Sequence, residues 1–503
     1  MKVLLISTNK IRVPRPALPI GMAYISAALK RAGHTVEVLD LLWESREIQV
    51  LRQRLTENYY DVVGIAVRNL DNLTFVDPIF FAPLTEKIVK CVRKYSKATV
   101  VVGGTGFSVE PMAFFEYAQP DFGIAGAGES SIVLLLEYLK NGGKPSAIPG
   151  LCYLDDAGYF VQNRADSSFD NKILSPDRSI YDPRYFSEGV SATSDLTRDS
   201  QPAIETLQTK RGCKLFCSYC IIRKTEGKRV RYREPVEVVS EISRAVTDNP
   251  AVREFEIVDA TFNFPLDYAV KICDEMIRSK LNIPWYCQLT PNTITSEFLE
   301  MLSAAGCIRV DLGTDAFTDE ALHSLKKGFD MTKVLEVDRL LAKSPIEHTH
   351  CVFLGGPDET SAALRSSIEF TEKYLNPTQI YANLGIRILS GTKLYDQAVN
   401  AGILTENQSV FVPAYYVEPE ILSDVDLLDH VRDKYLSHKN WYLWWGLRGQ
   451  SLSDRARYSR RAVADMQHEY EYVMADKPRL RSASKLVKTT PMRVAIRMEG
   501  LQR

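Results

Sequence analysis

The chain has 503 residues, 45% of them hydrophobic and 25% charged; at this length that composition describes an ordinary globular protein of several domains. A formal net charge of −1 excludes an overall basic surface for nucleic acid, and no apolar run is long enough to span a bilayer. The nine cysteines are odd in number and scattered, without a secretory signal. A disulfide framework fits them poorly, and a reduced, cytoplasmic setting is expected.

Residues 1–145 read as one α/β unit. Residues 2–7 form a buried strand, and residues 20–31 a helix with apolar spacing that ends at Gly33. Further strands follow at 35–40, 62–67, 98–104 and 122–125, the last running into Gly126-Ala127-Gly128-Glu129. Such short apolar runs suit a parallel sheet covered on both faces, and ligands of such sheets sit at the C-terminal strand ends. Gly103, Gly104 and Gly106 permit close approach of a ligand to the backbone.

Pro19-Ile20-Gly21-Met22-Ala23-Tyr24-Ile25, Ala32-Gly33-His34, Val101-Val102-Gly103-Gly104 and Gly126-Ala127-Gly128-Glu129 together resemble the cobalamin-binding domain fused ahead of many radical S-adenosylmethionine (SAM) enzymes. The resemblance implies cobalamin contacts from Thr8, Pro19, Gly21, Arg68, Asn69, Gly103, Gly104, Gly106, Gly126, Gly128 and Glu129. Some of these domains ligate cobalt with a histidine from a D-x-H-x-x-G loop after the first strand. The corresponding loop here, residues 8–18, has no histidine, so no ligation from it is expected. Arg68 and Asn69 are then expected near the lower face of the cobalt, where a cation disfavours an axial ligand. The alternatives are a flavodoxin-like domain that binds nothing and, for Arg68, a solvated loop residue or a phosphate contact.

Residues 146–200 read as a connector rich in Asp, Ser and Pro. Its Leu174-Ser175-Pro176-Asp177-Arg178 resembles the P-x-P-D-R linker of the fused family, expected to wrap the seam between domains.

Cys213, Cys217 and Cys220 lie within eight residues of one another, in Cys213-Lys214-Leu215-Phe216-Cys217-Ser218-Tyr219-Cys220. Three thiolates on one short loop can hold three irons of a four-iron cluster and leave the fourth open to a small molecule. A zinc site needs a fourth ligand; His34 and His323 are far off in sequence, although a distant residue could close the site.

Strands alternating with helices follow over 201–400. Residues 255–259 end at the turn Ala260-Thr261-Phe262-Asn263; residues 285–289 and 305–315 come next. Leu325-Lys326-Lys327-Gly328-Phe329, then His350 to Thr360 as a fifth strand and turn, and Gly385 to Thr392 as a sixth, complete the run. Alternation at this spacing implies parallel βα units, and six would make a partial barrel with its site at the C-terminal strand ends.

The C-x-x-x-C-x-x-C triplet and these turns resemble the radical SAM family. In that family the open iron chelates the amino and carboxylate groups of SAM, whose cleavage yields a 5′-deoxyadenosyl radical. The resemblance implies a [4Fe-4S] cluster on Cys213, Cys217 and Cys220. It also implies SAM contacts from Tyr219, Asp259, Thr261, Asp315, Gly355, Gly356, Arg387 and Leu389. The family's G-G-E turn is absent at 259–263, Asp315 stands where Glu is common, and Ser390 stands where Pro is common.

Residues 401–503 are expected to form a mainly helical extension. Residues 411–416 read as a strand or a pocket lip. The aromatic run Trp441-Tyr442-Leu443-Trp444-Trp445 reads as core of a helical cap, with a substrate-pocket wall or a membrane contact as alternatives. The tail carries Lys477, Arg479, Arg481, Lys485, Lys488, Arg493 and Arg497 and is expected to be solvated.

The resemblance as a whole implies a Rossmann-like cobalamin domain, a partial (β/α)6 radical SAM barrel and three cofactors: a [4Fe-4S] cluster, SAM and cobalamin. The implied activity is methylation of an unactivated carbon of a small molecule or natural product through the deoxyadenosyl radical and methylcobalamin. Rearrangement, ring contraction or oxidative cyclisation without methyl transfer is one alternative, and a non-catalytic iron–sulfur or cobalamin sensor another. An electron donor such as flavodoxin or ferredoxin is the expected partner, with no nucleic acid.

Overall fold

Apolar runs such as Val3–Ile6 and Val100–Val102 are buried along their whole length, as strands covered by helices on both faces must be. The computed structural model describes residues 1–12, 15–165, 173–187, 202–227, 229–443, 452–475, 477, 480–482 and 496–498. Strands β1 (Lys2–Ser7), β2 (Thr35–Asp40), β3 (Val62–Ala66), β4 (Thr99–Gly103) and β5 (Phe122–Ile124) pair in parallel in the order β2-β1-β3-β4-β5. The connector expected over 146–200 does not begin as a linker. Its β6 (Leu151–Leu154) and β7 (Phe160–Gln162) add antiparallel to β5 and extend the first sheet, because Leu151, Cys152, Phe160 and Val161 are apolar enough to be buried there.

The second sheet contains β8 (Ile204–Leu207), β11 (Glu254–Ile257), β12 (Trp285–Leu289), β13 (Cys307–Asp315), β14 (Glu347–Leu354) and β15 (Gln379–Leu384), parallel and in that order. A hairpin of β9 (Lys210–Arg211) and β10 (Arg231–Tyr232) leaves the end of β8. Helices Pro235–Asp248, Leu266–Arg278, Ser296–Ala304, Met331–Leu341 and Ser361–Tyr374 return the chain between strands. The result is an open barrel of βα units.

The sixth strand lies earlier than Gly385–Thr392. Gly385 has φ +76, and a Cβ there would stand 2.7 Å from Val417 and 3.1 Å from the Tyr416 carbonyl. The chain therefore turns out of the sheet, and β16 (Ile386–Arg387) pairs instead with β17 (Tyr415–Tyr416). A seventh parallel strand, β18 (Trp441–Leu443), closes on β15. The aromatic run is thus barrel wall rather than helical cap over 441–443: Trp441 packs on Tyr435 and His438, and Tyr442 stacks on Tyr381. Trp444 and Trp445 lie outside the described residues.

The helix Leu452–Ala475 ties the two units together. Leu452 and Ala456 belong to the barrel core, while Met474 belongs to the core of the first unit. Lys477, expected to be solvated, instead ion-pairs with Glu86 at 2.6 Å. Beyond it β19 (Leu480–Ser482) and β20 (Ile496–Met498) join the first sheet against β7; Arg479, Lys485, Lys488 and Arg493 lie outside the described residues. Neighbouring connector residues grip both units: Asp177 accepts from Ser26 at 2.6 Å, and Arg178 donates to Glu241 at 2.9 Å. Among the described residues no helix is long and apolar enough to cross a membrane.

Candidate active site between the two sheets

A cavity of about 440 Å³ opens at the C-terminal ends of β1, β3, β4 and β5 and is closed from the other side by β8 and β11. That volume lies in the range of small-molecule sites. Pro19, Gly21, Arg68, Gly103, Gly104, Gly126, Gly128 and Glu129 line it from the first unit; Thr206, Gln208, Arg211 and Glu256 line it from the barrel. The glycines make a cradle suited to a large ligand. Nothing lies within 4 Å of where a Gly21 Cβ would stand, and Gly104 at φ +99 would drive a Cβ to 2.4 Å from the Val67 carbonyl. Glu129 is held at 2.5 Å by Arg211, so the rim of one unit is pinned to the hairpin of the other.

Three residues expected at this site are elsewhere. The Thr8 hydroxyl donates to the Ala66 carbonyl at 3.1 Å. Gly106 serves packing, since a Cβ there would meet the Asn69 backbone at 2.7 Å. Asn69 accordingly sits under that helix turn and does not line the cavity. Arg68 does line it, with no hydrogen bond or ion pair among the described residues. Its side chain is exposed to the open cavity; the surrounding protein lowers its pKa, and Glu256 works in the opposite direction.

The cysteine loop leaves β9 through Gly212, whose φ of +90 and 2.8 Å Cβ approach to the Arg229 carbonyl demand glycine. The Ser218 amide donates to the Leu325 carbonyl at 3.0 Å, and the Ser218 carbonyl accepts from Leu394 at 2.9 Å. These bonds sew the loop to the barrel. Cys213 is buried; Cys217 and Cys220 are half-buried. Burial raises all three thiol pKa values, that of Cys220 to about 11. Lys327 is the strongest charged influence on Cys217 and favours its thiolate.

A single zinc ion, with zinc–sulfur bonds of about 2.3 Å, would gather its sulfurs within about 4.6 Å of one another. The three sulfurs do not all lie within 4.8 Å of one another. The described group that does meet that spacing is Asp338, His348 and His350, buried behind β14. Asp338 accepts from His348 at 3.1 Å and His350 at 3.3 Å, and Thr314 bonds the other His350 nitrogen at 2.7 Å. Those bonds satisfy the trio without a metal.

Tyr219 and Asp315 come together beside the cysteines. The Tyr219 hydroxyl and the Lys327 ammonium both bond Asp315 Oδ2. Asp315, expected to accept from SAM, therefore already holds two protein donors. Asp259 is saturated as well: it takes the Thr209 amide at 2.8 Å, the Lys210 amide at 3.1 Å, the Lys210 ammonium at 3.0 Å and the Thr209 hydroxyl. Thr261 donates to Asn263 at 3.1 Å. The Arg387 side chain is likewise committed to protein partners. It is buried, pairs with Asp71 of the first unit at 2.7 Å, and donates to the Val410 carbonyl at 2.8 Å. Leu389 is half-buried, and its carbonyl takes the Thr392 hydroxyl at 2.6 Å.

Gly355 and Gly356 form the turn after β14. Gly355 at φ +78 packs under Val417, and a Gly356 Cβ would face Ile386 at 3.6 Å. The Gly355 amide donates to Glu359 at 2.7 Å. Burial pushes the Glu359 carboxyl up to about 7, against the Gly355 and Gly356 N–H groups. Its folded pKa thus exceeds the unfolded 4.5, so stability falls as pH rises from about 4.5 to 7. Glu359→Gln is expected to be about 2–3 kcal/mol more stable than the parent at pH 8 and within about 1 kcal/mol of it at pH 5, by paired denaturant titrations.

Residues inside the barrel escaped the sequence reading. Tyr286 on β12 stands opposite Arg309 on β13, and Gln288 opposite Asp311. Arg309 lies 4.0 Å from the Tyr286 ring centre. Arg15, from the loop after β1, donates to the Tyr286 hydroxyl at 2.5 Å and pairs with Glu256. The alternation Arg309-Val310-Asp311-Leu312 was the available signal: in a barrel wall, polar residues of a buried strand point inward.

A family model described as Radical SAM superfamily matches residues 207–371, and one described as B12 binding domain matches residues 7–136. The chain is 25% identical over 443 residues to the tryptophan 2-C-methyltransferase of Streptomyces laurentii, covering 77% of this chain and 72% of that one. It is 22% identical over 452 residues to the cytidylyl-2-hydroxyethylphosphonate methyltransferase of Streptomyces wedmorensis, covering 80% and 82%. Its fold is that of the radical SAM methyltransferase TsrM from Kitasatospora setae, solved with cobalamin and a [4Fe-4S] cluster, at TM-score 0.73 and 20% identity over 92% of this chain and 99% of that one. Both domains are thus matched in order along one chain, a B12-binding domain ahead of a radical SAM domain, with a cavity shared between them.

Proposed function

We propose that this chain is a cobalamin-dependent radical SAM methyltransferase acting on an unactivated carbon of a small molecule. The observation that carries the reading is the shared cavity. Glycine-rich strand ends of the B12-binding domain face β8 and β11 of the radical SAM domain across it, and the cysteine loop stands at the same end of the barrel. The methyltransferase names of two relatives with unlike substrates support methyl transfer.

When bound, the cluster and SAM supply hydrogen-atom abstraction, and cobalamin supplies the methyl group. Cys213, Cys217 and Cys220 would hold three irons and leave the fourth for SAM. Gly21, Gly103, Gly104, Gly126 and Gly128 would cradle cobalamin, with Arg68 on its wall. The backbone of the turns at 259–263 and 355–356 offers SAM its polar contacts. Asp259 orients Thr209 and Lys210 beside those turns. Tyr286, Arg309 and Asp311 face the substrate from the barrel wall and, with Arg15 inserted between the units, limit the entry of water. Radical abstraction needs no general base, and none is assigned. A one-electron donor such as flavodoxin or ferredoxin and a cytoplasmic setting complete the proposal.

Among the described residues, no histidine lines the cavity. The Co(II) form of the cobalamin-loaded protein is therefore expected to give an electron paramagnetic resonance (EPR) spectrum without nitrogen splitting from a protein histidine; a splitting that changes when the protein is uniformly labelled with nitrogen-15 overturns the expectation. The activity test is anaerobic reconstitution with small-molecule extracts and mass spectrometry of SAM-derived products. S-adenosylhomocysteine together with 5′-deoxyadenosine supports methylation. 5′-Deoxyadenosine alone points to rearrangement or oxidative cyclisation. Neither product under strong reductant leaves a sensor module.

A further inference from the structure

Two adjacent lysines in the turn after the helix Asp319–Ser324 have opposite fates. Lys326 takes φ +57 and faces solvent. Lys327 is buried at 7% exposure, with its amide tied to the Leu322 carbonyl at 3.0 Å. Its ammonium lies 3.8 Å from Cys217 Sγ and bonds Asp315 Oδ2, which also takes the Tyr219 hydroxyl. Tyr219 is itself part of the cysteine loop. The same turn accepts the Ser218 amide through Leu325 at 3.0 Å. Backbone and side chains together fix this ammonium against one cluster ligand.

We propose that Lys327 is a positioning residue for the iron–sulfur cluster: its ammonium hydrogen-bonds the Cys217 sulfur and raises the potential at which the cluster accepts an electron, with Asp315 and Tyr219 holding it in place. The inference rests on the cluster-binding reading above. Reduction adds one electron, shared over iron and sulfur. A cation and N–H donor at the ligand sulfur stabilise that added charge more than the oxidised state, and the low dielectric of a buried site strengthens the effect. Lys326 carries the same formal charge without the contact and is a built-in control.

The test is an EPR-monitored redox titration of the full chain, reconstituted anaerobically with iron and sulfide, without SAM or cobalamin. Lys327→Met is expected to lower the equilibrium constant for reduction at least tenfold, about 59 mV for one electron. Lys327→Arg is expected to keep most of the potential, and Lys326→Met to leave it unchanged. A loaded Lys327→Met chain within twofold of the parent overturns the proposal, as does an equal shift in Lys326→Met. A parent chain that holds no four-iron cluster overturns the cluster-binding reading itself. If Lys327→Met does not hold iron, Lys327→Gln decides: removing the charge while keeping an N–H donor is expected to lower the potential, and no fall overturns the proposal.

Discussion

The Cys213→Ala chain, reconstituted anaerobically with iron and sulfide, is expected to lose its visible cluster absorbance and, with it, SAM cleavage. The effect should be near-total because the remaining two thiols of the loop can hold only two corners of the cluster. Iron content should fall from about four per chain to well below one. Gly212 at φ +90 delivers Cys213 to its buried position, so a replacement sulfur elsewhere on the loop would not occupy the same corner. Cys91→Ala, in the core of the first unit, is the matched control and should retain its iron. A Cys213→Ala chain with full iron and undiminished 5′-deoxyadenosine production would remove the basis of the cluster assignment.

The second large effect concerns stability. Arg387→Met is expected to destabilise the protein by about 3–5 kcal/mol, because it strands the buried Asp71 carboxylate without its cation. Asp71 lies in the first unit and Arg387 on β16 of the barrel, so the pair bolts the two halves together. Calorimetry should show the first unfolding transition lowered by on the order of 10 °C. The double variant Asp71→Leu/Arg387→Met should recover part of the loss, since it leaves no unpaired charge. An Arg387→Met chain with parental stability but impaired SAM binding would restore Arg387 as a direct SAM contact.

These two residues mark how far the sequence carries. The cysteine spacing is a local property: the loop that presents Cys213, Cys217 and Cys220 is one short segment, and its chemistry follows from residue type and interval. The strands of the first unit were legible for the same reason, since runs such as residues 62–66 and 99–103 are apolar throughout and bounded by turns. β15 was not. Gln379-Ile380-Tyr381-Ala382-Asn383-Leu384 alternates because one face lines the barrel, and its polar half disguises a central strand. β18 was hidden in an aromatic run whose composition suits helix, sheet or surface equally.

The sequence by itself determined the cysteine loop, the glycine-rich strand ends and the succession of two parallel α/β units, because each is written in neighbouring residues. Only the tertiary structure decided which polar side chains remain free for ligands. Asp259 is consumed by Thr209 and Lys210, fifty residues away, and Arg387 by Asp71, 316 residues away. Lys327 is turned onto Cys217 across 110 residues. A buried charge takes the partner that the fold brings within reach, and that partner is set by the docking of sheets rather than by any local pattern.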